Sequence, residues 1–273
     1  MNLQELVKIS RIEILPFKSV IQKLNIIPER TSIQIATHNL SKTLDFLSMV
    51  HGRFNLNFIP HLPARLFNNE YQLLQTLDSL AEMQVRDIFV IGGDEKSPKG
   101  PYSNSFNIFE RMHKLGYTSL FKEIGTGIYP SGHPFLSDKV TFEALKLKHQ
   151  FVTYLECNLD FNPRNISNYI SKIRKEGIDK PVIVSALGAV DKKNLFPLLK
   201  EFSPRKTIRY LALHPLLLLN LTRGRYTPDK FLESLDDNLA KDNNVEQIRG
   251  LIFSTFNSLE SHYKWMHKYL NTN

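Results

Sequence analysis

Only one cysteine, Cys157, stands in a chain of 273 residues. A single thiol excludes an intrachain disulfide and a thiolate cage for a metal. A reducing compartment suits such a chain, and a cytoplasmic protein is expected. Long apolar runs are also scarce. The most apolar stretch, YLALHPLLLLNL at 210–221, is too short to span a bilayer and contains His214 and Pro215. It reads as a buried segment, and no membrane partner is expected. The opening MNLQELVKISRIEIL carries acids and no long apolar segment, unlike a signal peptide. Signatures of several chemistries are missing as well. No HExxH, CxxC, GxSxG or zinc-finger spacing occurs. Gly125 and Gly127 lead straight into Tyr129 and Pro130 without the GxGxxG spacing of a dinucleotide fold, and GGDEKSPKG at 92–100 is not a P-loop. His61 and His133 have acids nearby, but at no diagnostic ligand spacing, so no metal is assigned.

What is present is ordinary globular material, 42% apolar and 23% charged, with a formal net charge of +8. A positive surface attracts anions. The basic residues are scattered, however, in stretches such as KLKH and SKIRK among Ile, Leu and Phe. They read as solvated helix faces rather than a nucleic-acid footprint.

Short apolar runs alternate with helical periods along the chain. Strands are expected at 11–15, 32–36, 54–59, 87–91, within 120–128, and at 151–156, 181–187 and 250–256. Helices fall between them: Leu44, Leu47 and Val50 share one stripe, as do Leu73, Leu77 and Leu80, then Phe106, Phe109 and Met112, then Ile166, Ile170 and Ile173. Gly52, Gly116 and Gly177 sit at helix ends, and Pro163 follows Asn162 at a helix start. Two or three helical segments are expected over 191–240. Eight strands alternating with helices imply parallel pairing through crossover connections. The expected fold is α/β, a single (β/α)8 TIM barrel over 1–273 with a short segment 1–10 ahead of the first strand.

In such a barrel, ligands meet the C-terminal strand ends. Glu13 lies within the first strand, and His38 follows the second. PHLPAR (60–65) is expected after the third and GGD (92–94) after the fourth. YPSGHP (129–134) follows the fifth, and Glu156 closes the sixth. Each has a structural alternative: a paired acid, a turn cap, a histidine bonded to a carbonyl. Their shared placement at one rim favours a site.

These strand-end segments, in this order, resemble those of the methylenetetrahydrofolate reductase family over about residues 11–257. RIEILP, FIPHLPAR, DIFVIGGD, IGTGIYPSGHP, KEGIDKPVIVSAL and IFSTFN carry the resemblance, the fourth most specifically. It implies a barrel that holds FAD and passes hydride from NADH or NADPH to 5,10-methylenetetrahydrofolate, giving 5-methyltetrahydrofolate. By position, Glu13 would be the general acid that opens the one-carbon bridge, and Asp94 would sit by the flavin and the folate. His61, Gly93, Tyr129, His133 and Lys148 would contact the cofactor, and His38 and Glu156 the substrate. A homo-oligomer and a polyglutamated folate also suit the resemblance. The chain departs from the family at Ala36, Gly92, Glu156 and Ser254, and its helix after YPSGHP offers mainly Asp138, Lys146 and Lys148. Those changes thin the flavin contacts. A flavin-free folate-dependent one-carbon transferase, or a non-catalytic folate-binding partner subunit, is the alternative.

Overall fold

A computed structural model describes residues 2–133, 135–191, 225–242, 244 and 247–272. Pro134, the apolar run at 210–221 and Arg223 lie outside the described residues, as does much of the stretch expected to be helical over 191–240.

Eight parallel strands close into a barrel. They are β1 (Arg11–Ile14), β2 (Ser32–Ile35), β3 (Asn57–Pro63), β4 (Asp87–Ile91), β5 (Glu123–Ile128), β6 (Tyr154–Cys157), β7 (Val182–Leu187) and β10 (Ile248–Ser254). Their order around the wall is β1-β10-β7-β6-β5-β4-β3-β2. A short antiparallel pair, β8 (Val190–Asp191) with β9 (Arg225–Tyr226), stands apart from the wall. The outer layer comprises α3 (Leu40–Val50), α4 (Glu70–Glu82), α5 (Ser105–Lys114), α6 (Asp138–Lys148), α7 (Pro163–Lys175), and two later helices at Asp229–Lys241 and Leu259–Thr272. Two short helices, Leu3–Lys8 and Lys18–Ile21, flank β1.

Local chemistry explains the helix ends. Asn39, Asn69, Asn104, Ser137 and Asn162 each accept a backbone N–H from the first turn of the helix that follows. Gly52, Gly116 and Gly177 take left-handed φ values of 69°, 78° and 76° just past helix ends. All six residues of β7 are buried, as a strand covered by helices outside and side chains inside requires.

Two expectations are corrected. The third strand is not 54–59 but Asn57–Pro63, running through two prolines. Pro60 is the last residue paired with β2 and Pro63 the last paired with β4, so each missing N–H falls at the end of a ladder. Phe54 and Leu56 pack against the core from the preceding loop. Residues 225–226, expected to be helical, form β9 instead, because Tyr226 pairs with Val190 and buries with it and Leu187.

Besides the small cluster of Leu187, Val190 and Tyr226, the core has two compartments. A large one lies between wall and helices. A small one, inside the barrel, consists of Ile59, Phe89, Tyr154, Ile183 and Ile252. Beneath it an ionic floor closes the N-terminal end of the barrel. Arg11 pairs with Asp87 at 2.9 Å and donates to the Tyr154 hydroxyl at 2.8 Å, and that hydroxyl donates to Asp87 at 3.1 Å. Arg249 pairs with Glu123 at 2.8 Å. The guanidiniums of Arg11 and Arg249 lie 4.4 and 4.9 Å from the centre of the Tyr154 ring. Burial pushes Asp87 up to about 6 despite the pull of Arg11.

Tyr154 fits because its neighbour on β5 is Gly125, where an added Cβ would lie 2.2 Å from the tyrosine Cζ. Gly125→Ala must therefore displace the ring that organises the floor. We expect a loss of about 3 kcal/mol by urea denaturation, the upper range for overpacking. Gly250→Ala, whose Cβ would meet nothing within 4 Å, serves as control, and equal unfolding midpoints for the two variants would refute this account.

Candidate active site

Above the apolar layer the inward residues become polar. Alternation along each strand explains which they are. Ile12 and Ile14, Ile33 and Ile35, and Leu155 and Cys157 join the helix-facing core. The residues between them, Glu13, Gln34 and Glu156, must therefore face the lumen. His61, Ser185 and Ser254 complete the layer from β3, β7 and β10.

Glu13 is half-buried and accepts a hydrogen bond from Ser254 Oγ at 2.7 Å. Burial raises its carboxyl above the ordinary range, and the Ser254 bond opposes this in part. The backbone around it is clasped to β10. Thr255 Oγ1 donates to the Glu13 carbonyl at 3.0 Å, and the Asn257 amide both accepts from Leu15 N at 2.9 Å and donates to Leu15 O at 3.2 Å. Ser254, a departure from the resembled family, is thus the acid's direct partner.

Glu156 is buried. Its Oε1 accepts from Gln34 Nε2 at 3.0 Å and from Ser185 Oγ at 3.5 Å. Burial, and next the charge of Glu13, push its carboxyl up to about 8. Burial and the Glu13 charge thus both favour the protonated form of Glu156 at pH 7.

Gln34 links two elements. Its Nε2 also lies 2.8 Å from His61 Nε2. Burial, and the charge of nearby His38, lower His61 to about 3. His61 is hence neutral, and the geometry makes its Nε2 a lone-pair acceptor with the proton on Nδ1. His61 was expected on a loop after the third strand and in contact with a cofactor. It sits instead within β3, its ring 4.9 Å from Phe89. Gln34 was missed by sequence reasoning, although one polar residue amid SIQIA was a signal: a glutamine whose two neighbours face the helices has to face the lumen. Two atoms of this layer, Gln34 Oε1 and Glu156 Oε2, are buried without a hydrogen-bond partner among the described residues. Each such atom costs about 1–3 kcal/mol if left unmet.

The rim lies above. Asp94 is exposed on the loop after β4; burial raises Tyr129 and the Asp94 charge adds to it, whereas burial lowers His133 and the Asp94 charge opposes this only in part. Tyr129 is carried up to about 12. Its ring meets that of His133 edge-on at 4.6 Å, and His133 Nδ1 accepts from Phe135 N at 3.1 Å, which leaves Nε2 to donate. The turn is stiff because Gly132, at φ 85°, bonds back to the Tyr129 carbonyl at 3.1 Å, and Ser131 binds both Asp160 and Asn165. Gly93 adopts φ 89° beside Pro63. Arg65 ties this side together, donating to the carbonyls of Glu95 at 2.7 Å and Ser103 at 2.8 Å. His38 is exposed after β2. A cavity of about 210 Å³ opens beside the turn, lined by Tyr129, Pro130, Asp138, Asn165, Tyr169 and Lys172 among others.

Lys148 is placed differently from the expected cofactor contact. Its ammonium is buried against the β5 wall, donating to the Gly127 carbonyl at 3.1 Å, and burial lowers it to about 8. Among the described residues, no group of three or more His, Cys, Asp or Glu is arranged to hold a metal, and no helix is long and apolar enough to cross a membrane.

No protein-family model matches the sequence. Solved structures with similar folds include orotidine 5'-monophosphate decarboxylase from Sulfolobus solfataricus, at 9% identity over 64% of this chain and 77% of that one, with TM-score 0.38. HMG-CoA lyase from Bacillus subtilis is 11% identical over 96% of this chain and 94% of that one, with TM-score 0.48. Likenesses this remote carry no functional argument, and the barrel rests on this chain's own strand pairing.

The raised Glu156 has a consequence for stability. Below its ordinary value of 4.5 both folded and unfolded states hold the proton, and the group favours neither. From there to about 8 the unfolded state releases its proton while the folded state keeps it, so stability falls as pH rises. Glu156→Gln removes this loss. We expect the variant to melt roughly 5 °C above the parent at pH 9 and close to it at pH 4.5. A difference in melting temperature that is the same at both pH values would show that Glu156 is not held as a neutral acid.

Proposed function

We propose that this barrel binds a reduced folate at its mouth and that Glu13 acts on it as general acid, in the manner of a methylenetetrahydrofolate reductase. One observation carries the reading: the strand-end segments that resemble that family meet at one mouth, with Glu13 inside it and its carboxyl raised above the ordinary range. A carboxyl raised above the ordinary range holds its proton more readily than a free glutamate and can deliver it to a bridge nitrogen of 5,10-methylenetetrahydrofolate. The carbon–nitrogen bond then breaks with its electron pair moving to that nitrogen. The second nitrogen's lone pair makes the carbon an iminium, which accepts hydride and becomes 5-methyltetrahydrofolate. Ser254 holds the Glu13 carboxyl in place, and Glu156, neutral at pH 7, adds no second negative charge that would keep Glu13 from giving up its proton. In this reading the protein is cytoplasmic, its positive charge suits a polyglutamated folate, and it forms a homo-oligomer.

The resemblance assigns FAD to the rim, where the bound flavin would relay hydride from NADH or NADPH. The residues fit that group only in part. Tyr129 and His133 form an aromatic wall beside a 210 Å³ cavity that also has Asp138, room for a ring. A diphosphate finds no grip at Lys148, whose ammonium is spent on Gly127. That burial favours a second reading, a flavin-free folate-dependent one-carbon transferase or folate-binding partner subunit on the same barrel.

The visible spectrum of the purified protein, before and after incubation with FAD, separates the two readings. Retained yellow flavin and NAD(P)H-dependent reduction of the folate support the first. A colourless protein that binds tetrahydrofolate supports the second, and a protein that binds no folate refutes both. For an active enzyme, Glu13→Gln should cut turnover by about 10²–10⁴ while folate affinity stays within about threefold. Unchanged turnover would remove Glu13 from the chemistry.

A further inference from the structure

Of the nine large apolar side chains exposed among the described residues, four fall within residues 135–147: Phe135, Leu136, Val140 and Leu147. The helix there, α6, faces the wall with Thr141, Phe142, Leu145 and Lys148. A second apolar stripe runs along its outer side. Val140 and Leu147 are 51% and 54% exposed two turns apart, half-buried Ala144 lies between them, and Leu136, 45% exposed, stands just ahead of the Ser137 cap. Among the described residues α3, α5, α7 and the helix Asp229–Lys241 expose no such side chain. An outer helix of a barrel needs one apolar face, and a second, clustered one marks a contact surface. The charges beside it specify what covers it. A net charge of +8 sets copies of this chain against one another over most of their surface. Along α6 the outward charges cancel instead. Lys146 pairs with Glu176 at 2.8 Å, and exposed Lys139 lies one turn from exposed Glu143 on the same flank of the stripe.

We propose that this stripe docks a second copy of the chain, the two α6 helices packing antiparallel about a two-fold axis. Such a contact is self-complementary, and each flank of one helix meets the same flank of the other. Charge selects the register. An axis level with Glu143 and Ala144 would set Val140 against Leu147, but it would bring the two Glu143 carboxylates together. An axis level with Thr141 and Phe142 sets Leu136 of each copy against Leu147 of the other, with the two Val140 side chains on either side of the centre. It also brings Lys139 of each copy beside Glu143 of the other, so two ion pairs border the apolar seam. The small side chain of Ala144 lets the helices approach closely. The folate reading implies an oligomer without naming a surface, and this contact stands without that reading.

Sedimentation velocity of the full chain, over about 1–200 µM, tests it. The parent should pass from monomer to dimer within that range. Leu147→Glu buries a charge in the seam and should weaken association at least about tenfold. Tyr71→Glu, at an exposed apolar position on α4, should leave it unchanged. Lys139→Glu faces Glu143 of the other copy with a like charge and should also weaken association about tenfold. Lys139→Glu combined with Glu143→Lys exchanges the two signs and should restore the parent's affinity within about threefold. A monomer at every concentration leaves the stripe to a different occupant and overturns the proposal, as does a dimer that survives Leu147→Glu. A dimer lost in Lys139→Glu and not regained in the double variant overturns the antiparallel register. If Leu147→Glu does not fold, the charge exchange decides alone. Folate binding and turnover are read separately, so neither result bears on the folate reading.

Discussion

Everything about this protein's interior follows from one geometric constraint. A closed wall of eight parallel strands admits only alternate side chains to its lumen, and that lumen is narrow enough for a few layers. Each layer has therefore to be satisfied within itself. At the bottom, two arginines, two acids and one tyrosine hydroxyl neutralise and bond one another. Above them, five apolar side chains fill the section. The floor leaves the C-terminal mouth as the way into the polar layer.

That layer is then electrostatically unusual because the ones below it are closed. Among the described residues no basic side chain is bonded to Glu13 or Glu156, so burial favours the protonated form of both, and the charge of Glu13 adds to it at Glu156. The charge of Arg11 lowers Glu156 in part, but Arg11 is engaged with Asp87 and Tyr154 in the floor. The same burial keeps His61 neutral and weakens the ammonium of Lys148. The rim is different in kind: Asp94, His38 and Arg65 lie nearer water, and the loops there are laced by backbone hydrogen bonds.

Much of the fold was legible in the chain. Period-two and period-3.6 patterns located seven of the eight wall strands near their observed positions, and Asn162 with Pro163 and the glycines at 52, 116 and 177 marked helix ends. The third strand was misplaced because prolines read as breakers, and only the stagger between β2 and β4 makes Pro60 and Pro63 harmless. Among the candidate site residues, Glu13, Asp94, Tyr129 and His133 fall at the mouth as their strand-end positions implied. Lys148 did not follow, since a helix-end lysine can reach solvent or fold back on the wall, and local sequence does not distinguish these.

What the chain by itself determined was its alternation, and with it which residues share a face. Alternation is a property of neighbours along the backbone, so it is written in local order. Which strands' inward residues meet was decided only by closure and stagger. Gln34 meets His61 and Glu156 across 27 and 122 residues, and Ser254 meets Glu13 across 241. The protonation states of those groups depend on the burial such distant contacts create, and for that reason the acid layer exists only in the folded barrel.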